Sequence, residues 1–365
     1  MTLLQFIMGA ASNFSAVIVG PIATNLGWKY LFHILIAFTA LETLLLILFV
    51  PETCYNRDHR YDIDELADDK LSDLAEMEKR NQGSGKGEEQ VVKIESGSGT
   101  PPGTPPASRP KKTFIQELAF VNGTFSDDNL LQLFLAPFAV CSNLAVTWMV
   151  IITGGLTAFF VAQSYDMAQI FMFPPYNLSA AGVGYLSIGP FVGGLIAALL
   201  LGATLDPLIK WCAKKNNGVY EPEYRLLGMF PGLLSGVGLF AFGYMTEKKM
   251  SFYGTAVMHG IDLFGIVAAN IAAAAYIIDA YREMSGEVFI VNMVFKNLLF
   301  YGFSYFVNDW TAEAGPAVVF YVMGGVAFAM VVSTPIVFVW GKRYRSFWHR
   351  HNLLEKWHIK THSEM

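Results

Sequence analysis

Four ionisable side chains stand inside long stretches otherwise made of apolar residues: Glu42, His259, Asp262 and Lys296. A charge held away from water is costly, so such residues mark ion or substrate paths unless a partner satisfies them. His259 and Asp262 are three residues apart and lie on neighbouring parts of one helix face. Asn270 follows His259 by eleven residues, about three turns, and returns to that face. A carboxylate in such a polar wall can bind a proton or a cationic solute, because burial disfavours its charged form. The competing reading puts His259 and Asp262 near the end of their span, in reach of headgroup water. Glu42 is expected to pair with a polar group on a neighbouring helix, or with a group outside these spans. Lys296, with Asn292 and Asn297 beside it, is expected to form a structural ion pair with an acid such as Asp262 or a hydrogen bond, or else to snorkel. Asn143, Thr147, Trp148 and Gln163 share another apolar stretch and are further candidate lining groups, against the plainer reading of Trp148 as packing.

Other chemistries find little support. No Ser/His/Asp constellation, HExxH or phosphate-loop spacing occurs, so the chain does not read as an enzyme. Cys54, Cys141 and Cys212 lie far apart, giving neither a disulfide framework nor a zinc site, and no cofactor is expected. The net charge of −5, with no basic patch interleaved with aromatics, offers nothing to nucleic acid.

The elements that carry these residues follow from composition. Of the 365 residues 53% are hydrophobic and 15% charged, where a soluble domain carries about 25% charged residues. Eight runs have a length that crosses a bilayer core: about 4–24, 29–50, 139–163, 182–204, 227–246, 254–278, 287–307 and 315–340. The N-terminal MTLLQFIMGAASNFS lacks a basic leader and reads as the start of the first span rather than a cleaved signal. The expected fold is therefore an all-α polytopic membrane protein with the lipid bilayer as its surroundings. Short loops and the tail on one side of these spans hold eleven Lys and Arg residues, against Lys29, Lys248 and Lys249 on the other. That asymmetry places both termini in the cytoplasm.

Four segments result: two spans in 1–50, a cytoplasmic loop over 51–138, six spans in 139–340 and a cytoplasmic tail over 341–365. Within the loop, 58–80 reads as a solvated acidic helix, about 81–112 as a Gly/Ser/Pro-rich disordered linker, and 113–138 as an amphipathic surface segment.

Several stretches, taken in order, carry a family resemblance. GAASNFSAVIVGPIATNLGWKYLFHI holds Gly20-Pro21 and then Gly27-Trp28-Lys29-Tyr30. VPETCYNR follows the second span, PPYNLSAAGVGYLSIGPFVGG enters the fourth, and YIIDAYREMSGEVFIVNMVFKN joins the sixth to the seventh. Between the fourth and fifth lies DPLIKWCAKKNNGVYEPEYRL. Together these resemble the major facilitator superfamily, in its fungal proton-antiporter-like branch. The resemblance maps the eight spans onto helices five to twelve of that fold, with the first four helices lacking. Gly20 and Pro21 then stand for the antiporter-type helix motif, although Ala16 and Ala23 occupy places where glycine is usual. Gly202 and Asp206, with Lys210, Lys214, Lys215 and Arg225, resemble the cytoplasmic gate loop, Asp206 and Arg225 being candidate partners for helix ends. The activity implied is secondary transport of a small organic solute, as proton-coupled export, across the plasma or vacuolar membrane by two rocking halves. The alternative is a membrane-embedded partner that does not transport, or a non-functional truncated paralogue.

Overall fold

A computed structural model describes residues 11–50 and 130–351. The expected acidic helix, linker and first part of the amphipathic segment, and the tail beyond residue 351, lie outside the described residues. Every regular element among the described residues is helical. In chain order they are α1 (Ser12–Asn25), α2 (Trp28–Phe49), α3 (Leu130–Ala139), α4 (Leu144–Phe171), α5 (Ala180–Leu186) and α6 (Ile188–Lys215). A 3₁₀ segment (Pro222–Gly232) then leads into α7 (Leu233–Glu247), followed by α8 (Phe252–Ala280), α9 (Ser285–Ala314), α10 (Pro316–Val332) and α11 (Thr334–Arg350). Residues 11–37 and 130–351 belong to one compact unit, and residues 38–50 to a second.

Seven spans among the described residues are long and apolar enough to cross a membrane, counting α5 with α6, the 3₁₀ segment with α7, and α10 with α11. The chain is thus an integral membrane protein of all-α architecture. These seven match all the expected runs except the first, of which only Ser12–Asn25 is described.

Helix ends are set by single residues that an apolar count does not register. Asn143 is extended (φ −81°, ψ 116°), and its Oδ1 accepts the N–H groups of Ala145 and Val146 at 3.0 and 3.4 Å. This cap starts α4 after a break from α3, whereas the apolar run predicts one span from 139. At the other end α4 continues to Phe171, past the expected limit of 163. Helix α6 stops at Lys215 because Asn217 and Gly218 take positive φ (55° and 84°) and the Gly218 N–H turns back to the Ala213 carbonyl at 2.9 Å.

Helix α8 is the core of the larger unit. Its AANIAAAA stretch is buried almost throughout, since small side chains let neighbouring helices close on it. The approach to α6 is tight: a Cβ on Gly193 would stand 2.0 Å from the Gly260 carbonyl oxygen. The approach to α7 is similar, a Cβ on Gly238 lying 2.6 Å from the Asp262 nitrogen. Helix α4 packs along α8 and α9, and α10 along α7. Helix α1 docks on α5 through buried Gly20, whose Cβ would meet the Ala180 carbonyl oxygen at 2.9 Å, one residue before Pro21 within the helix.

Candidate functional site

The polar side chains of the spans form a series of rungs between α4, α7, α8 and α9. Gln163 Oε1 of α4 and His259 Nδ1 of α8 are hydrogen-bonded at 2.7 Å. The imidazole stacks on Phe160 at 4.8 Å between centroids, with Phe242 at 5.9 Å on its flank. Three residues on, Asp262 turns to α7, where the Ser235 hydroxyl donates to its Oδ1 at 2.6 Å. Asn270 Nδ2 donates to Thr157 of α4 at 3.3 Å, and Thr153 to Asn292 of α9 at 3.1 Å. Asp166, one turn beyond Gln163, accepts the Thr311 hydroxyl of α9 at 2.7 Å.

Gln163, Asp166, Ser235 and Asp262 are wholly buried and His259 nearly so. Several of their atoms have no hydrogen-bond partner among the described residues: Asp166 Oδ1, Gln163 Nε2, Asp262 Oδ2 and Asn270 Oδ1. An orphaned buried polar atom costs about 1–3 kcal/mol. Two carboxylates thus sit inside the bundle with one hydroxyl donor each and, among the described residues, no cation paired to them. Such a group can take a proton on its free oxygen, or a cationic solute against it.

A second cluster lies where α6 and α8 end. Arg225 bridges Asp206 (3.2 Å, Nη1) and Asp279 (2.7 Å, Nε), and the Tyr220 hydroxyl also donates to Asp279. Burial, with that bond to Asp279, pushes the Tyr220 phenol up to about 12. Glu221 pairs with Lys342, and buried Glu223 with Arg345 at 3.3 Å, both cations on α11. The charged ribbon between α6 and α7 is strapped to three helices.

The candidates read from sequence therefore divide. His259, Asp262, Asn270 and Gln163 fall in the polar rungs, all buried except the partly buried Asn270, so His259 and Asp262 do not reach headgroup water. His259 and Asp262 sit on neighbouring parts of α8, about 60° apart, so that Asp262 meets α7 while His259 meets α4. Asn143 is the α4 cap, Thr147 bonds the Cys141 carbonyl, and Trp148 Nε1 donates to Ser333 at 2.8 Å. Asn143 and Trp148 thus serve the start of α4 and its packing, more than two turns from Gln163. Lys296 is half-buried on α9 and has no ion pair or hydrogen bond among the described residues. The expected pairing with Asp262 fails because Asp262 faces α7 while α9 packs chiefly on α4. Glu42 is exposed on α2, in the smaller unit. Gly202 lines a cavity of about 300 Å³ beside the Arg225 pairs. Lys210 and Lys214 are exposed, and Lys215 Nζ lies 3.9 Å above the Trp211 ring.

The sequence reading missed Asp166, Ser235 and Thr311. Asp166 and Thr311 fall three and four residues past the expected ends of their spans, at 163 and 307.

This arrangement agrees with a family match. The model of the Major Facilitator Superfamily covers residues 1–304. The chain belongs to this superfamily. Among curated proteins, an uncharacterised MFS-type transporter of Schizosaccharomyces pombe is 28% identical over 218 residues, 60% of this chain and 36% of that protein. The MFS-type transporter penM of Penicillium rubens is 34% identical over 128 residues, 34% of this chain and 24% of that protein. A probable drug/proton antiporter of Saccharomyces cerevisiae is 26% identical over 193 residues, 52% of this chain and 36% of that protein. The chain thus spans well under half the length of these relatives. No solved structure gives a significant match. These relatives carry the names of transporters or an antiporter rather than of enzymes.

Proposed function

We propose that this superfamily member serves secondary active transport of a small organic solute, with proton exchange at Asp262 driving export. The observation that carries this reading is the Asp262 carboxylate, wholly buried in the central helix with one serine hydroxyl and, among the described residues, no cation paired to it. An acid in that setting can be neutralised by a proton or by a cationic solute, which is the exchange an antiporter requires. His259 with Gln163, and Asn270, extend the polar lining. The relatives named as transporters, one as a probable drug/proton antiporter, support the same reading.

In this reading 139–340 forms the C-terminal bundle, 1–50 contributes to the other half, and 51–138 and 341–365 face the cytoplasm. The ribbon from Asp206 to Arg225 is the cytoplasmic gate loop, in a plasma or vacuolar membrane. Cysteines placed at exposed Ser179 and Asn217 report the topology. A membrane-impermeant thiol reagent added outside should modify the first and spare the second. Modification of both from one side rejects the assignment.

The activity is tested by following a panel of labelled organic solutes in cells expressing the chain, across a pH series, for wild type and Asp262→Asn. The expected outcome is net export that depends on the proton gradient in the wild type. Asp262→Asn should lose that dependence while reaching the membrane in equal amount. Transport with an unchanged pH profile in the variant removes Asp262 from the role.

A further inference from the structure

The transport reading uses one of the two carboxylates in the polar rungs, and Asp166 is the other. It stands on α4 with no exposed surface, its Oδ2 taking the Thr311 hydroxyl and its Oδ1 taking nothing among the described residues. The charged and titratable groups on the elements packed against α4 do not neutralise it. On α9, Asp309 and Glu313 are exposed, Glu287 lies at the opposite end, and Lys296 is fifteen residues from Thr311, roughly 22 Å along the axis. On α8 the groups in reach are His259 and Asp262, while Asp279 pairs with Arg225 at the far end. Helices α5 and α10 present only the exposed tyrosines Tyr185 and Tyr321.

The placement of Asp166 relative to Asp262 is regular. Helices α4 and α8 run antiparallel, since Gln163 meets His259 while Thr157 meets Asn270. Asp166 follows Gln163 by three residues, and Asp262 follows His259 by three. The two carboxylates therefore lie on opposite sides of the Gln163–His259 bond, each about 4.5 Å along the axis from it, about 9 Å apart in level. Gln163 Nε2, between them, is also unpartnered.

We infer that Asp166, positioned by Thr311, is a second proton-binding site, which fills and empties in alternation with Asp262 on the other side of the Gln163–His259 pair. The proton is taken from water onto Oδ1, the oxygen with no donor, and leaves to water from the same atom. Two carboxylates in one poorly polarisable interior resist being charged together, so filling one site favours emptying the other. Asp166 becomes the outer station and Asp262 the inner one. The inference rests on the reading that Asp262 exchanges protons, and its test separates the two.

The full chain in proteoliposomes is treated with dicyclohexylcarbodiimide, an apolar reagent that adds to protonated carboxyls, and the adducts are located by peptide mass. Two adducts are expected, at Asp166 and Asp262, both declining from mildly acidic to mildly alkaline buffer. Asp166→Asn should remove one adduct of the two, and Thr311→Val should shift the pH at which the Asp166 adduct appears while its yield in acid is kept. An infrared carboxyl-stretch measurement counts protonated groups without requiring the reagent to reach them. Wild-type protein with an adduct at Asp262, none at Asp166, and no infrared band lost in Asp166→Asn overturns the inference and leaves the transport reading standing. An adduct at Asp166 with none at Asp262 overturns the alternation between them, and removes Asp262 from the transport reading as well.

Discussion

Asp262 and Asp279 are aspartates of one helix, seventeen residues apart, and the chain treats them in opposite ways. Asp279, at the end of α8, receives the Arg225 guanidinium and the Tyr220 hydroxyl on one oxygen. Asp262, in the middle, receives one serine hydroxyl. The same division separates Glu223, buried and paired with Arg345, from Asp166, buried and held only by Thr311. Where cations are near the water they are spent on carboxylates that tie segments together. Inside the bundle Asp262 and Asp166 each keep one oxygen without a donor among the described residues, and Lys296 stands apart from both. A buried acid with its cation is a strut; a buried acid without one keeps its proton chemistry available.

The sharpest way to break this contrast is to remove a cation from a strut. Arg345→Met leaves Glu223, only 2% exposed, as a buried charge without its partner. Breaking such a pair costs about 3 kcal/mol. A drop of several degrees in Tm of the detergent-solubilised protein is expected. Adding Glu223→Gln to that variant should recover most of the loss, because removing both partners leaves no orphaned charge. Asp262→Asn should behave differently, with Tm close to wild type, since an amide keeps an acceptor for Ser235 and removes a charge that nothing neutralises. Equal losses for Arg345→Met and Asp262→Asn would mean that the two carboxylates do the same work.

The fold was largely legible because bilayer-length apolar runs need no tertiary information, and seven of the eight expected runs return as spans among the described residues. Ends were less legible. The start of α4 depends on the Asn143 side chain, and its finish carries Asp166 three residues beyond the expected boundary, so a residue with the strongest claim to chemistry was counted as loop. His259, Gln163 and Asp262 were visible singly as polar residues in apolar runs. Their pairing was not, because Gln163 and His259 are 96 residues apart and meet only when α4 packs on α8. Asn143 and Trp148 show the converse: polarity and position suggested a lining, while capping and packing account for their contacts. In the ribbon, Asp206 and Arg225 were both named from sequence, but the bridge to Asp279 depends on where α8 ends.

The mildest variant draws the boundary of the strut cluster. Lys342 also pairs with a ribbon carboxylate, Glu221, but its side chain is 63% exposed and Glu221 is partly open as well. An ion pair with water on one side exchanges one set of favourable contacts for another, and salt weakens what is left. Lys342→Ala should therefore leave Tm unchanged within error, at low and at high ionic strength alike. Arg345, three residues along the same helix, should by then have shown its loss in the same assay. A clear Tm drop for Lys342→Ala that disappears in high salt would show that the Glu221 pair bears load. The division would then run between membrane and cytoplasm rather than between buried and exposed carboxylates.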